Sequence, residues 1–395
     1  MNPVYIIEAK RTPVGKANRG VFRLERPDDM LAHAIKGTLA AVPNLDPALI
    51  EEAMIGCAMP EGPQGMNIAR IGVLLAGLPD TVPGITINRF CCSGIESMSL
   101  LANRIAAGQI ECGLAGGIES MSSVPMGGNS LSGNPNFFNG NADLAIAYGM
   151  GITAEIVAKR YKVSREQQDA FALESHRKAI HAIDKGYFKN EILPYEVTGH
   201  FPDAKTGGVI EKKIIVDTDE GPRRDSTLES MARLKSPFEA GGSVTAANSS
   251  QVSDGGGVAL MVSEKFMKAH KLEPIARLMS YQVAGVAPDV MGIGPIVAAP
   301  KALKAAGLKQ DDIGWIELNE AFAAQSLAVI NDLKFDPAKV NPNGGAIALG
   351  HPLGGTGAIR VATAINGAKR LGEKYAMVTM CIGTGMGAAG ILEVF

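Results

Sequence analysis

Four segments place reactive side chains at sharp breaks between apolar runs. In Ile85 to Gly94 (ITINRFCCSG), an apolar run delivers Cys91 to a turn just before a helical stretch. A thiol at a helix N-terminus meets the positive end of the dipole and unsatisfied N–H groups. Both favour thiolate, so Cys91 reads as a nucleophile. The competing reading is a small buried hydrophobe, the commoner fate of cysteine. In Asn341 to Gly357 (NPNGGAIALGHPLGGTG), His351 is the one group that titrates near neutrality. Glycine and proline hold it in a constrained loop that can aim it as a base; a solvent-facing loop histidine is the alternative. In Met377 to Gly387 (MVTMCIGTGMG), Cys381 ends a strand-like run and Gly383 opens a glycine-rich turn. Exposed N–H groups there can form an oxyanion hole, or the turn can simply pack tightly. Trp315 to Ala323 (WIELNEAFA) ends an apolar strand at Asn319, whose amide can hold a water or a substrate carbonyl, or cap a helix.

Other chemistries lose their main supports. The chain has no GxGxxG that leads from a strand into a helix, no GxxxxGK[ST] and no GxSxG. No His/Cys/acid cluster has ligand spacing, so no metal is expected. His33, His176, His181, His200 and His270 lack comparable surroundings and receive no role.

The elements around these segments alternate strand-like and helical runs: strands at Val4–Ile7, Ala53–Cys57, Ile85–Phe90 and Cys112–Gly116, helices at Arg26–Ala41 and Gly94–Ala107. That alternation predicts an α/β fold with parallel strands joined by helical crossovers. Leu45–Ile50 lines up with Leu308–Ile313, and Asp254–Val262 with Gly383–Ile391, which suggests two similar halves. Between them, Met121–Asn141 is loop-like and Ser164-Arg165-Glu166-Gln167 reads as a capping box opening a helix that Gly186 ends. Residues 198–226 are polar and turn-rich. The division expected is 1–120 with 248–271 as a first half, 121–247 as an insertion, and 272–395 as a second half.

Composition bounds the rest. The 395 residues are 46% hydrophobic and 20% charged, which excludes a disordered or fibrous chain. With 38 Lys+Arg against 40 Asp+Glu the net charge is −2, so no global basic field draws nucleic acid or a membrane. Five cysteines without a framework point to a reducing, cytoplasmic setting. Glycine, proline or charge interrupts every apolar stretch, so no membrane span is expected.

Taken together, NRFCCSG, NEAF, GGAIALGHPLGGTG and CIGTGMG, with GGIESMS (116–122), SREQQDAFALESH (164–176) and TAANSSQVSDGGG (245–257), resemble the thiolase family along essentially the whole chain. The resemblance implies duplicated five-stranded βαβαβαββ halves in a five-layer αβαβα core, with an inserted loop domain that binds coenzyme A. It implies an acyltransferase in which Cys91 is acylated, His351 activates it, and Cys381 is the acid/base thiol. An Asn319-held water with His351 would form one oxyanion hole, and the N–H groups of Cys91 and Gly383 the other. Arg223, Ser230 and Ser250 fall at coenzyme A positions, with Arg224 a less favoured neighbour; Cys92 is taken as structural. Coenzyme A would be a substrate, with no tightly bound cofactor. The short Met121–Met150 stretch, and Gly149 where acetoacetyl-CoA-forming members often carry histidine, favour the degradative 3-ketoacyl-CoA thiolases. An acetyl-CoA acetyltransferase and a non-catalytic lipid-binding relative are the alternatives, and a dicarboxylic acyl-CoA substrate stays open. A homodimer or homotetramer is implied, with room for a hydratase/dehydrogenase partner subunit and with no nucleic-acid or membrane partner.

Overall fold

The structure, a computed structural model, describes residues 2–130, 132–138 and 149–395. The chain opens with β1 (Val4–Arg11), β2 (Gly15–Lys16), α1 (Pro27–Ala40), β3 (Glu52–Gly56), α2 (Ile68–Leu75), β4 (Gly84–Ile87), α3 (Ser93–Ala106) and β5 (Cys112–Ser120). A long excursion follows, with α4 (Met150–Arg160), α5 (Arg165–Asp184), β6 (Tyr195–Pro202), β7 (Val209–Val216) and α6 (Leu228–Ala232). The chain then returns through β8 (Ser253–Ser263) and α7 (Glu264–Ala269). The remainder is β9 (Ala276–Gly285), α8 (Gly294–Ala306), β10 (Trp315–Leu318), α9 (Ala323–Leu333), α10 (Ala346–Leu349), α11 (Leu353–Leu371), β11 (Tyr375–Ile382) and β12 (Met386–Val394).

Strand order states the duplication directly. The first half runs β1-β8-β5-β3-β4 and the second β9-β12-β11-β10. In both, the first two pairings are antiparallel and the third is parallel. Where the first half ends in the parallel β3–β4 pair, the second has only an Ile316–Val340 bridge. The aligned segments Leu45–Ile50 and Leu308–Ile313 both form a 3₁₀ turn ahead of equivalent strands, β3 and β10. Tyr5 and Ile6 of β1 pair with Arg277 and Ala276 of β9, which joins the halves into a single ten-stranded sheet.

Three cores explain the layering. One lies between the first half's strands and α1/α2 (Met30, Leu31, Ile55, Leu114), and one between the second half's strands and α8/α9 (Ala298, Leu303, Val329, Met377). The third is central and drawn from both halves, with Ile95 and Leu101 of α3 meeting Val361 and Ile365 of α11 between Met261 and Met380. Helix α11 is buried without a break from Leu353 to Ile365, so it reads as an all-round interior helix rather than an amphipathic one. Its crossing with α3 is closed by small residues: a Cβ on Gly94 would stand 2.7 Å from the Ala358 nitrogen.

The excursion departs from its sequence reading in one place. Residues 198–226, expected as turns, contain most of the antiparallel β6–β7 hairpin. Its seven exposed β7 positions and the Glu211-Lys212-Lys213 run mask the alternation that marks a strand. The Ser164/Gln167 capping box is present as expected and opens α5.

Candidate active site

Cys91 sits in the 3₁₀ turn Phe90–Cys92 between β4 and α3. Cys92, not Cys91, flanks the first turn of the helix. Phe90 adopts φ +46°, unusual for a bulky residue, and local side chains hold it there. Asn88 Oδ1 accepts the Phe90 N–H at 2.8 Å, and Ser93 Oγ donates to the Phe90 carbonyl at 2.7 Å. The half-buried Cys91 sulfur faces the N–H groups of Gly383 and of Cys91 itself. Burial nevertheless pushes the thiol up to about 11; the two N–H groups lower it, and Glu119 adds to the rise. The expectation of a thiolate favoured by the helix end is therefore overturned, because desolvation of the charged form outweighs the backbone donors. A base is needed.

His351 is the candidate base. It is buried, not solvent-facing, in a turn that Gly350 makes with φ +94°, where a Cβ would stand 2.5 Å from Ser253 Oγ. Its N–H donates to Ser253 Oγ and to the Gln251 carbonyl, each at 3.1 Å. Burial and the nearby Arg360 cation lower its pKa to about 3, so the ring is neutral. Asn319 Nδ2 lies 3.4 Å from Nε2 and Thr356 Oγ1 2.7 Å from Nδ1. An amide NH₂ only donates, so Nε2 accepts and Nδ1 carries the proton toward Thr356. The basic lone pair is thus on Nε2, where it accepts from the Asn319 amide.

Asn319 follows β10, with its N–H on the Thr379 carbonyl at 2.9 Å. It caps nothing, since Phe322 precedes α9. Its Oδ1 is buried and has no hydrogen-bond partner, a polar atom left for something that binds. Cys381 is buried near the end of β11 among Met291, Ala321, Phe322 and Met150. Burial and the neighbouring Cys91 push its thiol up, which keeps it protonated. Gly383 begins a turn in which Thr384 and Gly385 take φ +67° and +88°. Cys91 is thus tied to Gly383 and Cys381, and His351 to Asn319. Leu353, two residues after His351, packs in one cluster with Cys91 and joins the two sets.

A cavity of about 260 Å³ adjoins this centre, lined by His176, Arg223, Ser230, Met231, Gln251 and Ile347 among others. Gln251 connects the two, its side chain in the cavity wall and its carbonyl on the His351 N–H. Arg223 lines the cavity, whereas Arg224 is held by Asp184 at 3.0 Å. Ser230 is in the wall but also completes a capping box with Thr227 on α6. Ser250 is not among the lining residues; its N–H donates to the Ala321 carbonyl at 2.9 Å.

Family comparisons agree along the chain. Residues 4–265 match the model for the thiolase N-terminal domain and 272–394 that for the thiolase C-terminal domain. The 3-ketoacyl-CoA thiolase of Bacillus subtilis is 47% identical, with all of both chains covered. The crystal structure of human mitochondrial 3-ketoacyl-CoA thiolase superposes with a TM-score of 0.90 at 37% identity, covering 100% of this chain and 99% of that one. That of Bacillus anthracis acetyl-CoA acetyltransferase gives the same TM-score at 36% identity with the same coverage. The chain belongs to the thiolase family.

In this member of the thiolase family, the structure also brings forward residues that the sequence left unassigned. His176 lines the cavity, with Nδ1 accepting the Arg223 N–H at 3.2 Å, and burial with Arg223 and Lys16 lowers its pKa to about 4. The signal was present as an imidazole between Ala172 and Ala179 on the buried face of α5. Glu119 is buried beside the centre and accepts from the Ala58, Met59 and Gly354 N–H groups at 2.7, 3.1 and 2.9 Å. It fixes the turns on either side of Cys91 and Leu353. Of the loop read as short in the thiolase comparison, residues 139–148, including Tyr148, lie outside the described residues.

Proposed function

We propose that this chain is a 3-ketoacyl-CoA thiolase, cleaving a 3-ketoacyl-CoA with coenzyme A to acetyl-CoA and a shortened acyl-CoA. The observation that carries the reading is the pair of neighbouring protonated thiols, Cys91 and Cys381, at the Gly383 turn, with a buried neutral imidazole whose basic atom is Nε2. Nε2 of His351 takes the Cys91 proton, and the thiolate attacks the C3 carbonyl. The C2–C3 bond breaks, its electron pair passes to the enolate of acetyl-CoA, and the Cys381 thiol protonates C2. His351 passes its proton to the Cys381 thiolate and then takes the proton of incoming coenzyme A, whose sulfur displaces the acyl group from Cys91; the released Cys91 thiolate recovers that proton from His351. Backbone N–H groups of Cys91 and Gly383 stabilise one oxyanion, and His351 with the Asn319 amide the other. Coenzyme A enters as a substrate along the cavity lined by Arg223, Ser230 and His176. No resident cofactor is required.

Chain length follows from Gly149, ahead of α4, where an added Cβ would meet nothing within 4 Å. Met150 borders the site, its sulfur 3.8 Å from a Cβ built on Gly383. The absence at Gly149 of the imidazole that acetoacetyl-CoA-forming members often carry suits an acyl chain longer than acetyl. The acetyl-CoA acetyltransferase reading, supported by the solved relative of that name, predicts a site confined to acetoacetyl-CoA. We place the protein in the cytoplasm as a homodimer or homotetramer, in keeping with its five unpaired thiols. Among the described residues no helix is long and apolar enough to cross a membrane.

Cleavage rates from acetoacetyl-CoA to 3-ketohexadecanoyl-CoA test the proposal. Turnover that persists or rises with length supports it, and Cys91→Ser should remove about 10⁴-fold or more of that rate. Turnover of acetoacetyl-CoA alone would give the acetyltransferase reading, and an inert protein the non-catalytic one.

A further inference from the structure

Two arginines are fully buried in this fold, and they are held very differently. Arg11 is saturated: Nε donates to Glu191 at 2.7 Å, and the two Nη atoms to Asp219 at 2.7 and 2.9 Å. Arg360, on α11, is not. Its Nη1 is 3.6 Å from Glu317 Oε2, and its one hydrogen bond runs from Nη2 to the Gly350 carbonyl at 3.4 Å. Nε and Nη1 of Arg360 and Oε2 of Glu317 have no hydrogen-bond partner. A buried cation so loosely paired costs stability unless its position serves something else.

Its position is behind the catalytic turn. The carbonyl it reaches belongs to Gly350, whose left-handed backbone sets the direction of the next residue, His351. One turn nearer the start of α11, Thr356 holds the imidazole by Nδ1, so α11 grips this turn twice. We propose that Arg360 is a positioning residue for His351: its guanidinium, which faces Glu317 without a hydrogen bond, holds the Gly350 carbonyl and thereby fixes the turn that aims the imidazole. The inference rests on the thiolase reading above, in which His351 is the base. A second effect follows from charge, because the guanidinium also disfavours imidazolium. The charged groups that interact with Arg360 are Glu317 from β10 and Glu320 from the loop after it, with Glu191 of the excursion acting on Glu317. Both Glu317 and Glu320 are pushed up by burial, so each is drawn toward its neutral form and neither fully offsets the cation.

The variants are Arg360→Lys, which keeps the charge but loses the planar fork, and Arg360→Met/Glu317→Gln, which removes the pair without leaving either group alone. Both should keep the wild-type KM for coenzyme A while kcat falls about 10- to 100-fold, since the cavity is intact and only the imidazole is misaimed. In the double variant the acid limb of kcat/KM should also move up by about one pH unit. Wild-type kcat within twofold in both folded variants, with an unmoved acid limb, would overturn the inference while leaving the thiolase reading standing. An inactive wild type would instead sink that reading. A crystal structure of Arg360→Lys then decides the inference without turnover: loss of the Nδ1–Thr356 contact supports it, and an unmoved imidazole overturns it.

Discussion

The two halves of the molecule present the same three turns to the centre and use them differently. The turn after β3, the turn before α3 and the end of β5 carry Cys57, Cys91 and Glu119. Their counterparts after β10, before α11 and at the end of β11 carry Asn319, His351 and Cys381. In the first half only the middle position faces the reacting atoms. Cys57 is buried, its sulfur 3.7 Å from Glu119 Oε1, and Glu119 ties the neighbouring loops together. In the second half all three positions hold groups that the proposed reaction uses: an amide donor, a base and a thiol acid. The difference teaches that duplication supplied two similar cradles, and that one became a rigid mount for a nucleophile while the other became its proton-handling partner. Close approach of α3 and α11 brings the two mounts together.

The sharpest way to break that division is at Cys381. Cys381→Ala should lower the full cleavage reaction about 10³- to 10⁴-fold, because the enolate loses its proton donor. Acylation of Cys91 by an acyl-CoA should persist, since that step uses only the first-half nucleophile and His351. Mass spectrometry of the denatured protein after mixing with acyl-CoA reads the acyl adduct, and steady-state kinetics reads turnover. Loss of the adduct together with turnover would mean that the second half does more than manage protons.

Asn319 sharpens the same comparison with a smaller effect. Asn319→Ala removes the amide beside Nε2 and should cost about 100-fold in kcat with little change in KM for coenzyme A. The equivalent change in the first half, at Cys57, removes no group that faces the site. A rise in KM with unchanged kcat in Asn319→Ala would instead place the amide in ground-state binding.

Much of this arrangement is legible in the chain because each functional residue lies at a break between an apolar run and a glycine-rich turn. Cys91, His351, Asn319 and Cys381 announce themselves that way, and the repeated 3₁₀ turn ahead of β3 and β10 exposes the duplication. What stays hidden depends on contacts between distant residues. Glu119 and Gly354, Arg11 and Asp219, or Gly350 and its hold on Arg360 leave no local period to read. The Cys91 thiol was misjudged for a related reason: the helix end is a local feature, whereas the burial that overrides it is assembled from both halves. The β6–β7 hairpin escaped because its solvent face carries the charges of a loop. The β1–β9 junction that joins the halves leaves no pattern in the chain because it involves only two residue pairs.

The smallest effect expected is one of stability, and it separates the centre from its surroundings by pH. His351 and His176 are both buried, with folded pKa values lowered to about 3 and about 4 from an ordinary 6.5. A depressed folded pKa means that the unfolded chain binds a proton that the folded chain refuses. Stability from these two groups is therefore complete above about pH 6.5 and is lost as pH falls toward 4. Glu317 works in the opposite sense: pushed up to about 7, it contributes fully below about 4.5 and loses that contribution as pH rises through 7. Between these limits the terms partly cancel, so the melting temperature should be broadest near neutrality and drop on the acid side. His176→Asn, which keeps an acceptor for the Arg223 N–H but no titrating ring, should recover about 2 kcal/mol of the loss at pH 4. The same substitution should leave stability at pH 7.5 nearly unchanged. Thermal denaturation of both proteins across pH 4 to 8 measures this, and parallel curves would show that the cavity histidine, unlike the buried ring at the catalytic turn, does not resist protonation in the folded protein.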